Sequence, residues 1–521
     1  MIGHDPWKQD ETYIFGIVQH MLESGDWIVP NVANEPFMEK PPLYYWVAGI
    51  LATLFSPWLA PHDGARLATG LFMGLTCGAL AWTGNRWWGK GQGRLSVVAM
   101  LGSLGLVFYA HLMLTDIPIL TGFALACCGF AVSRERPVLA GALLGTGAGI
   151  GFLSKGVLSV GVLGLTALIL PIAFANWRQR AYFKSLAVAA MVSLPWLLIW
   201  PVQLYIRSPE LFIEWFWLNN VGRFIGFSVA TLGAPHKRGF WLETLPWFGF
   251  PCLPLAGYAA WRFKHELRTD ARIQVPLVLF SVMMFVLAVS ASARPNYALP
   301  LLVPVCLLAT PVASRIPGRL NLTWDWGSRL VFSGIGLFIW GIWISIMVTG
   351  APPSWQFLAT HLPDDFNLQN SADEIAIASS LSLLAVLAWR RVSRTAARGL
   401  LSWTIGLTLC WGLLATLWLP WIDAAKSYRD VFLSMHSAMP QKHRCIASEG
   451  LGESERAMLR YVLGINTQRQ EVVDGSDCDL LLINGLAKNP PADIDTSRWK
   501  LAWEGARRCD RRERFWLYVA K

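Results

Sequence analysis

Charged residues are scarce in this sequence. They make up 15% of its 521 residues, whereas hydrophobic residues make up 54%, and the mean hydropathy is +0.41. Soluble domains are about 25% charged, so the low charge excludes an ordinary soluble protein and indicates that lipid is the main solvent. Trp is abundant, with 28 residues, as expected where aromatic rings anchor at both bilayer interfaces.

Residues 1–40 lack the apolar segment of a cleavable signal peptide, and no internal repeat or low-complexity tract is present. The formal net charge is +10, but the Arg and Lys residues fall in short clusters between apolar runs. This is the pattern of loops that set membrane topology, and it argues against a role in binding nucleic acid.

A spanning helix needs about 20 mostly apolar residues, and about 17 at the least. By this measure the sequence predicts twelve spans, at 65–84, 96–114, 117–133, 138–154, 156–175, 185–206, 241–261, 275–291, 297–314, 329–350, 374–389 and 400–420. The apolar segment 43–60 is bracketed by prolines, and counting it as a span would break the charge pattern. We interpret it as an interfacial helix.

Alternate loops of this topology carry positive clusters around Arg86, Arg134, Arg178, Arg262, Arg315 and Arg390. The positive-inside rule makes those loops cytoplasmic. Residues 1–64, the short loops at 115–116 and 155, the loops 207–240, 292–296 and 351–373, and the tail are then extracytoplasmic. In this topology residues 1–64 must be carried across the membrane, and no signal peptide or earlier span is visible to carry them. We therefore expect a further spanning helix upstream of this sequence.

The chain is thus predicted to have three parts: a first loop at 1–64, a membrane domain at 65–420 and a tail domain at 421–521. The tail has short apolar stretches at 444–448, 479–484 and 515–520 around a helical segment at 453–463, which predicts a small α/β domain. Three cysteines lie in it: Cys445, Cys478 and Cys509. An extracytoplasmic location permits a disulfide, but the sequence leaves the pairing open.

Ionisable residues near membrane depth are rare and mark candidate functional sites. Asp116 is the strongest of them, because it stands between two apolar runs with almost no loop to solvate it. Its carboxylate needs a cation, a metal ion or a proton. Lys155 is its natural counterpart, although a lysine at a helix end can also extend along the helix to reach water.

Other candidates have plain structural alternatives. Asp10 and Glu11 precede an amphipathic stretch and suit the N-terminus of a helix. Glu39 and Lys40 precede Pro-Pro, which starts a helix well. The remaining candidates at the same predicted face are Tyr13, Arg66, Arg207, Arg223, His236, Arg294 and Tyr297. Several cations with a few acids suit an anionic lipid headgroup, because Arg clusters recognise phosphate.

The same residues resemble the bacterial polyprenyl-phosphate-dependent glycosyltransferases, which include aminoarabinose transferases acting on lipid A and are related to protein O-mannosyltransferases. The matching motifs occur in order along the chain: Asp10-Glu11-x-Tyr13, 24–30, Glu39-Lys40-Pro41-Pro42-Leu43, Arg66, Thr115-Asp116, 154–156, Arg223-Phe224 and Arg294-x-x-Tyr297-x-x-Pro300. One such motif would be weak evidence, but the ordered set is specific.

This resemblance implies a GT-C fold with thirteen spans, twelve of them visible here, and a periplasmic C-terminal domain. It implies an enzyme of the bacterial inner membrane that uses an undecaprenyl-phosphate-linked sugar and no nucleotide, with its active site facing the periplasm. The sugar would be aminoarabinose and the acceptor lipid A or another envelope molecule. By the same resemblance Asp10 and Asp116 are catalytic, and the substrate is bound by Glu11, Tyr13, Lys40, Arg66, Lys155, Arg223, Arg294 and Tyr297.

Analogy with the family suggests a divalent metal ion near Glu39, and His236 on its loop is a second candidate ligand or a base, but the sequence offers no convincing ligand set and leaves the metal open. This chain departs from the family pattern at Asn219-Asn220, where many relatives have Glu-His, and at Arg294, where Lys is common. These changes put the sugar and the acceptor in doubt. Protein O-glycosylation is an alternative within the enzyme class, and a lipid-linked sugar transporter is an alternative outside it.

Overall fold

The computed structural model describes residues 2–229, 234–350, 353, 355, 358, 363, 372–472, 477–491 and 494–521. Most of the predicted loop 351–373 lies outside these residues. The described chain forms a bundle of apolar helices, a helical first loop and a C-terminal domain with a mixed sheet. One large apolar core runs from the first-loop helices through the bundle, and the C-terminal domain has smaller cores of its own.

Within the described residues, eight helices are long and apolar enough to cross a membrane: Pro61–Trp88, Pro137–Lys155, Arg180–Arg207, Ala271–Val289, Pro295–Ala313, Gly318–Thr349, Ala372–Val392 and Arg398–Lys426. Each coincides with a predicted span. Two further predicted spans are continuous but shorter helices, Ile117–Val132 and Val157–Ala173. The segment interpreted as interfacial is a short helix, Leu43–Phe55.

The prediction of unbroken spans is wrong at 96–114 and 241–261. The first is divided into Gln92–Leu101 and Leu104–Val107, and the second into Phe240–Phe248 and Cys252–Arg262. Pro251 lies at the second break and lacks a backbone donor. The breaks face each other, since the Leu104 amide donates to the Phe250 carbonyl at 3.0 Å. Broken backbone at membrane depth is tolerated where protein satisfies it in this way.

The remaining membrane-region elements are short: the 3₁₀ turns Ala175–Trp177 and Pro295–Leu301, the helices Pro209–Ile213 and Arg223–Ile225, and the π-helical segments Glu214–Gly222 and Leu414–Trp418. The first loop contains the helix Asp10–Ser24 and a two-stranded hairpin, β1 (Asn31–Val32) and β2 (Glu35–Pro36). The apolar helices Pro61–Trp88 and Arg398–Lys426 extend across the predicted boundaries at 64 and 420, so the division into three parts stays a prediction.

The tail is the predicted α/β domain. Its strands are β3 (Ile446–Glu449), β4 (Gln468–Arg469), β5 (Leu480–Leu486), β6 (Trp499–Gly505) and β7 (Glu513–Ala520), in the order β4-β3-β5-β7-β6. β3 pairs in parallel with β4 and β5, and β7 pairs antiparallel with β5 and β6. Its helices are Arg429–Ser437 and Glu453–Leu463, the second with the predicted bounds. Cys445 and Cys478 form a disulfide, the pairing that the sequence left open.

The helices Ile117–Val132 and Pro137–Lys155 form an antiparallel pair that brings Asp116 and Lys155 to the same end. Their backbones cross closely, because a Cβ atom added at Gly122 would lie 2.5 Å from the Gly147 carbonyl oxygen. Small residues permit such an approach between membrane helices. The packing of this pair therefore determines how near the two charged side chains lie.

Gly122→Val should force these helices apart. Overpacking of this kind costs about 1–3 kcal/mol, so the melting temperature in detergent should fall. Gly164→Val is the matched control, because a Cβ added at Gly164 meets no atom within 4 Å. Equal melting temperatures for the two variants would contradict the close crossing.

Candidate active site

A cavity of about 340 Å³ opens between the first loop and the helices Val157–Ala173 and Ala271–Val289. One end is polar and holds six of the predicted residues: Glu39, Lys40, Asp116, Lys155, Arg223 and Tyr297. The other end is apolar and is lined by Ile119, Val162, Leu165, Met283, Val286 and Leu287. The cavity thus has the form required by an anionic headgroup joined to an apolar chain.

Asp116 and Lys155 form an ion pair at the floor of the polar end. The other carboxylate oxygen of Asp116 accepts a hydrogen bond from the Asn296 amide at 3.2 Å. Lys155 also lies over the Tyr297 ring, with its Nζ 3.6 Å from the ring centroid, in a cation–π contact. The predicted pairing of Asp116 with Lys155 is therefore confirmed, and Asn296 and Tyr297 complete it.

Glu39 and Arg223 form a second pair at the mouth of this cavity, with Nη1 and Oε1 2.6 Å apart. Burial of Glu39 raises its pKa, but Lys40 and Arg223 outweigh that effect and lower the pKa to about 2. Arg223 follows directly on the π-helical segment Glu214–Gly222, whose wide turn carries the chain into the site. The pair also lines a second, polar cavity of about 480 Å³ against the C-terminal domain.

Asp10 begins the first-loop helix and lines neither cavity itself, but its partner Lys40 lines the first cavity and its partner Tyr13 lines the second. Its carboxylate accepts a hydrogen bond from the Tyr13 hydroxyl, and Lys40 Nζ lies 3.9 Å from it. Burial lowers the pKa of Lys40, but Tyr13, Glu39 and Asp10 outweigh this and raise the pKa well above its ordinary value. Lys40 is therefore a permanent cation, and Asp10 is the partly exposed acid beside it, 26% accessible at its side chain.

Arg294 lies in the wall of the polar cavity, near the same acids. Burial lowers its pKa, but Tyr297, Glu39 and Asp10 outweigh that effect and raise the pKa above its ordinary value. Among the residues described, Arg294 makes no ion pair within 4 Å, so its charge is available to an anionic ligand.

Comparisons with known proteins bear on the family and the fold. The family model described as dolichyl-phosphate-mannose-protein mannosyltransferase matches residues 39–202. The chain is 29% identical over 423 residues to undecaprenyl phosphate-α-4-amino-4-deoxy-L-arabinose arabinosyl transferase 2 of Sodalis glossinidius (strain morsitans), covering 78% of this chain and 69% of the relative. It is 32% identical to the corresponding transferase of Edwardsiella ictaluri (strain 93-146), over 60% of this chain and 56% of the relative.

The matched region thus spans a little over half of the Edwardsiella protein and about two thirds of the Sodalis protein. Among solved structures, ArnT from Cupriavidus metallidurans bound to undecaprenyl phosphate is similar, with a TM-score of 0.68 and 18% identity, over 99% of this chain and 94% of that one. Its apo state gives a TM-score of 0.70 at 18% identity, with the same coverage of both chains.

The chain has the GT-C fold. The predicted resemblance to bacterial polyprenyl-phosphate-dependent glycosyltransferases is likewise confirmed by the sequence relatives. At 18% identity the solved structures support the fold alone.

Two of the predicted substrate-binding residues lie outside the lining of the two cavities. Glu11 and Arg66 are buried, 1% and 3% exposed, and are joined by a 3.0 Å bond between Oε1 and Nε. Glu11 also accepts from the Met113 and Trp7 amides, at 3.1 and 3.2 Å. These bonds tie the helix that carries Asp10 to the loop that carries Asp116. Neither residue lines the two cavities, so direct substrate contact stays a prediction.

The predicted metal ligands, Glu39 and His236, have protein partners in this structure. The Glu39 carboxylate is neutralised by Arg223, and His236 Nδ1 lies 2.8 Å from the Ser290 carbonyl oxygen. His236 lines neither cavity. In the described part of the chain, no group of three or more His, Cys, Asp or Glu side chains is arranged to hold a metal ion.

Two further residues have roles that the sequence did not indicate. Asn296 bonds Asp116, although the sequence showed only that it stands between Arg294 and Tyr297. Lys8, two positions before Asp10, reaches into the C-terminal domain and forms ion pairs there. Its position in the polar first loop gave no sign of these partners.

Glu39 should stabilise the fold in a pH-dependent way. Its folded pKa is depressed from 4.5 to about 2, so its contribution is present above about pH 4.5 and is lost as the pH falls toward 2. Glu39→Gln should lower the melting temperature by several degrees at pH 7, and the difference from the unchanged protein should shrink at pH 3. Glu453→Gln, at an exposed acid, is the control. If the difference in melting temperature between Glu39→Gln and the unchanged protein were the same at pH 7 and pH 3, the lowered pKa of Glu39 would be contradicted.

Proposed function

We propose that this protein transfers a sugar from undecaprenyl phosphate to an acceptor of the bacterial cell envelope, at the periplasmic face of the inner membrane. The observation that supports this proposal most directly is the first cavity, in which a cationic end and an apolar end share one continuous space. The names of the Sodalis and Edwardsiella relatives support 4-amino-4-deoxy-L-arabinose as the sugar. Lipid A is the acceptor that we propose.

The donor would lie with its prenyl chain along Val162, Leu165 and Met283 and its phosphate at Lys155 and Arg223. Burial of apolar chain stabilises such a complex by about 25 cal/mol per Å². Lys and Arg then provide point charge and bidentate contacts for the phosphate. Asp116 holds Lys155 in place, and Tyr297 restricts it from the other side.

The acceptor would enter from the polar cavity and attack the anomeric carbon in line with the leaving phosphate. The new bond joins the acceptor oxygen to that carbon, and the bond from the carbon to the phosphate oxygen breaks. Polyprenyl phosphate leaves with the electron pair, and its negative charge is stabilised by Lys155, Arg223 and Arg294. The configuration at the anomeric carbon is inverted.

Asp10 acts at the acceptor side. For a hydroxyl acceptor it takes the proton as general base. For a phosphate acceptor, which is already a nucleophile, it orients the acceptor or stabilises positive charge in the transition state. Lys40 and Tyr13 hold the carboxylate. No step requires a metal ion, and the predicted divalent ion near Glu39 stays untested.

The periplasmic location is supported by three observations. Positive charge clusters in alternate loops, the first loop and the tail pack together on one side, and the tail contains a disulfide. Disulfides persist in oxidising compartments such as the periplasm.

Asp10→Asn should reduce transfer by about a hundredfold or more, because a general acid or base contributes about 10²–10⁴ in rate. The measurement is the mass spectrum of lipid A after incubation of donor-loaded membranes with the purified protein. Asp373→Asn, at an exposed acid on another helix, should have no effect. If the unchanged enzyme transferred the sugar to protein and left lipid A unmodified, protein would replace lipid A as the proposed acceptor. Full activity of Asp10→Asn would contradict the proposed role of Asp10.

A further inference from the structure

The helix Asp10–Ser24 is called the catalytic helix here, because it carries Asp10. The segment that leads into it is bound to the C-terminal domain. Lys8 Nζ lies 2.6 Å from Glu455 Oε1 and 2.8 Å from Glu513 Oε1. Asp5 pairs with Arg429, with Nη2 and Oδ1 2.6 Å apart. The residues just before Asp10 therefore take their position from a domain that follows the membrane region in sequence.

Lys8 lies between two acids, of which Glu455 is buried and Glu513 is largely shielded from solvent. The side chains of Glu455 and Glu513 are 4% and 11% exposed, and the Tyr428 hydroxyl oxygen lies within hydrogen-bond distance of both, at 2.8 and 3.2 Å. Two carboxylates so close repel each other unless a cation lies between them. Arg507 assists at 3.2 Å from Glu513, but Lys8 is the cation that comes from the first loop.

The catalytic helix also packs closely on the tail helix Glu453–Leu463. A Cβ atom added at Gly16 would lie 2.7 Å from the Ala457 Cβ atom, so the helices touch at backbone distance. One turn away, the Phe15 and Tyr461 rings meet edge to face, with centroids 4.8 Å apart. This contact fixes both the height and the rotation of the helix that carries Asp10 and Tyr13.

A third contact lies next to Asp10 itself. The Gln9 carbonyl accepts from Ser454 Oγ at 3.3 Å and from Thr12 Oγ1 at 2.7 Å. The backbone immediately before the catalytic carboxylate is thus held from both domains. The Asp10 side chain is held separately, by the Tyr13 hydroxyl and by Lys40 Nζ at 3.9 Å.

We propose that the C-terminal domain positions Asp10 for catalysis, through the Lys8 ion pairs and the contact of Gly16 with Ala457. The catalytic part of this inference rests on the proposed function. Lys8 is a positioning residue, since it acts through the helix and not on the donor. A displacement of about 1 Å in a reacting group can lower a rate by about a hundredfold. The contacts of Lys8 and Gly16 with the C-terminal domain therefore control the turnover rate, although they form no part of the donor site.

The first test is Lys8→Met, which keeps the length of the side chain and removes its charge. We expect kcat to fall by about tenfold to a hundredfold, with the donor KM and the affinity for undecaprenyl phosphate within about threefold of the unchanged protein. Lys8→Arg should restore most of the activity, because it keeps the cation between the acids. Lys442→Met, at an exposed lysine of the tail, should have no effect.

Hydrogen–deuterium exchange gives a readout that needs no turnover. In Lys8→Met the peptide covering residues 10–24 should lose protection, while peptides from the helix Pro137–Lys155 should not change. If the wild-type protein showed no transfer activity, the proposed function would be contradicted, but the exchange measurement would still test whether Lys8 positions the helix. Unchanged protection and unchanged kcat would overturn the positioning role. A raised acceptor KM at unchanged kcat would overturn it too, because Lys8 would then contact the acceptor.

The second test separates position from general destabilisation. Gly16→Ala should lower kcat, and Ala457→Gly in the same chain should restore it by returning the lost space. Gly70→Ala, where a Cβ meets nothing within 4 Å, is the control. Failure of the double variant to recover would contradict the helix contact. A loss of undecaprenyl phosphate binding in proportion to kcat would show general unfolding and would also overturn the proposal.

Discussion

The buried pair of Asp116 and Lys155 is the interaction on which the site depends. A carboxylate between two apolar helices cannot remain charged alone, because desolvation costs several kcal/mol per ion. Lys155 supplies the opposite charge, and Asn296 and Tyr297 complete the surroundings of the pair. The antiparallel crossing at Gly122 and Gly147 keeps the two charges together. An anionic headgroup would therefore meet a lysine whose position is already set.

Two cavities of different character meet at the Glu39–Arg223 pair. One is largely apolar and suits a lipid-linked donor, while the other is polar and lies against the C-terminal domain. Asp10 lies beside Lys40, which lines the first cavity, and accepts from Tyr13, which lines the second. This division explains how one site can bring a prenyl-linked sugar to an acceptor from another direction. It also gives the C-terminal domain an indirect part in the chemistry, since that domain forms one wall of the polar cavity and contacts the helix of Asp10.

Much of this was predictable from local sequence. Asp116 and Lys155 stood out because charge between apolar runs has few solutions, and the helix at 453–463 followed from its amphipathic pattern and its C-terminal glycine. The helix breaks at Gly102 and Pro251 were not predicted, because mean hydropathy over a window of about 20 residues stays high across a break. The backbone groups that the breaks leave outside the helices bond to each other, from the Leu104 amide to the Phe250 carbonyl. The roles of Lys8, Glu11 and Arg66 could not be predicted, because their partners are brought near only by the fold.

The account makes the polar end of the first cavity the binding site for the donor phosphate. The most direct test is the affinity of the purified protein for undecaprenyl phosphate, measured by native mass spectrometry with Lys155→Met and Arg223→Met combined. Charge-assisted contacts to phosphate contribute about 1.5–3 kcal/mol each, so the account predicts a loss of affinity of at least about tenfold. Affinity equal to that of the unchanged protein would contradict it.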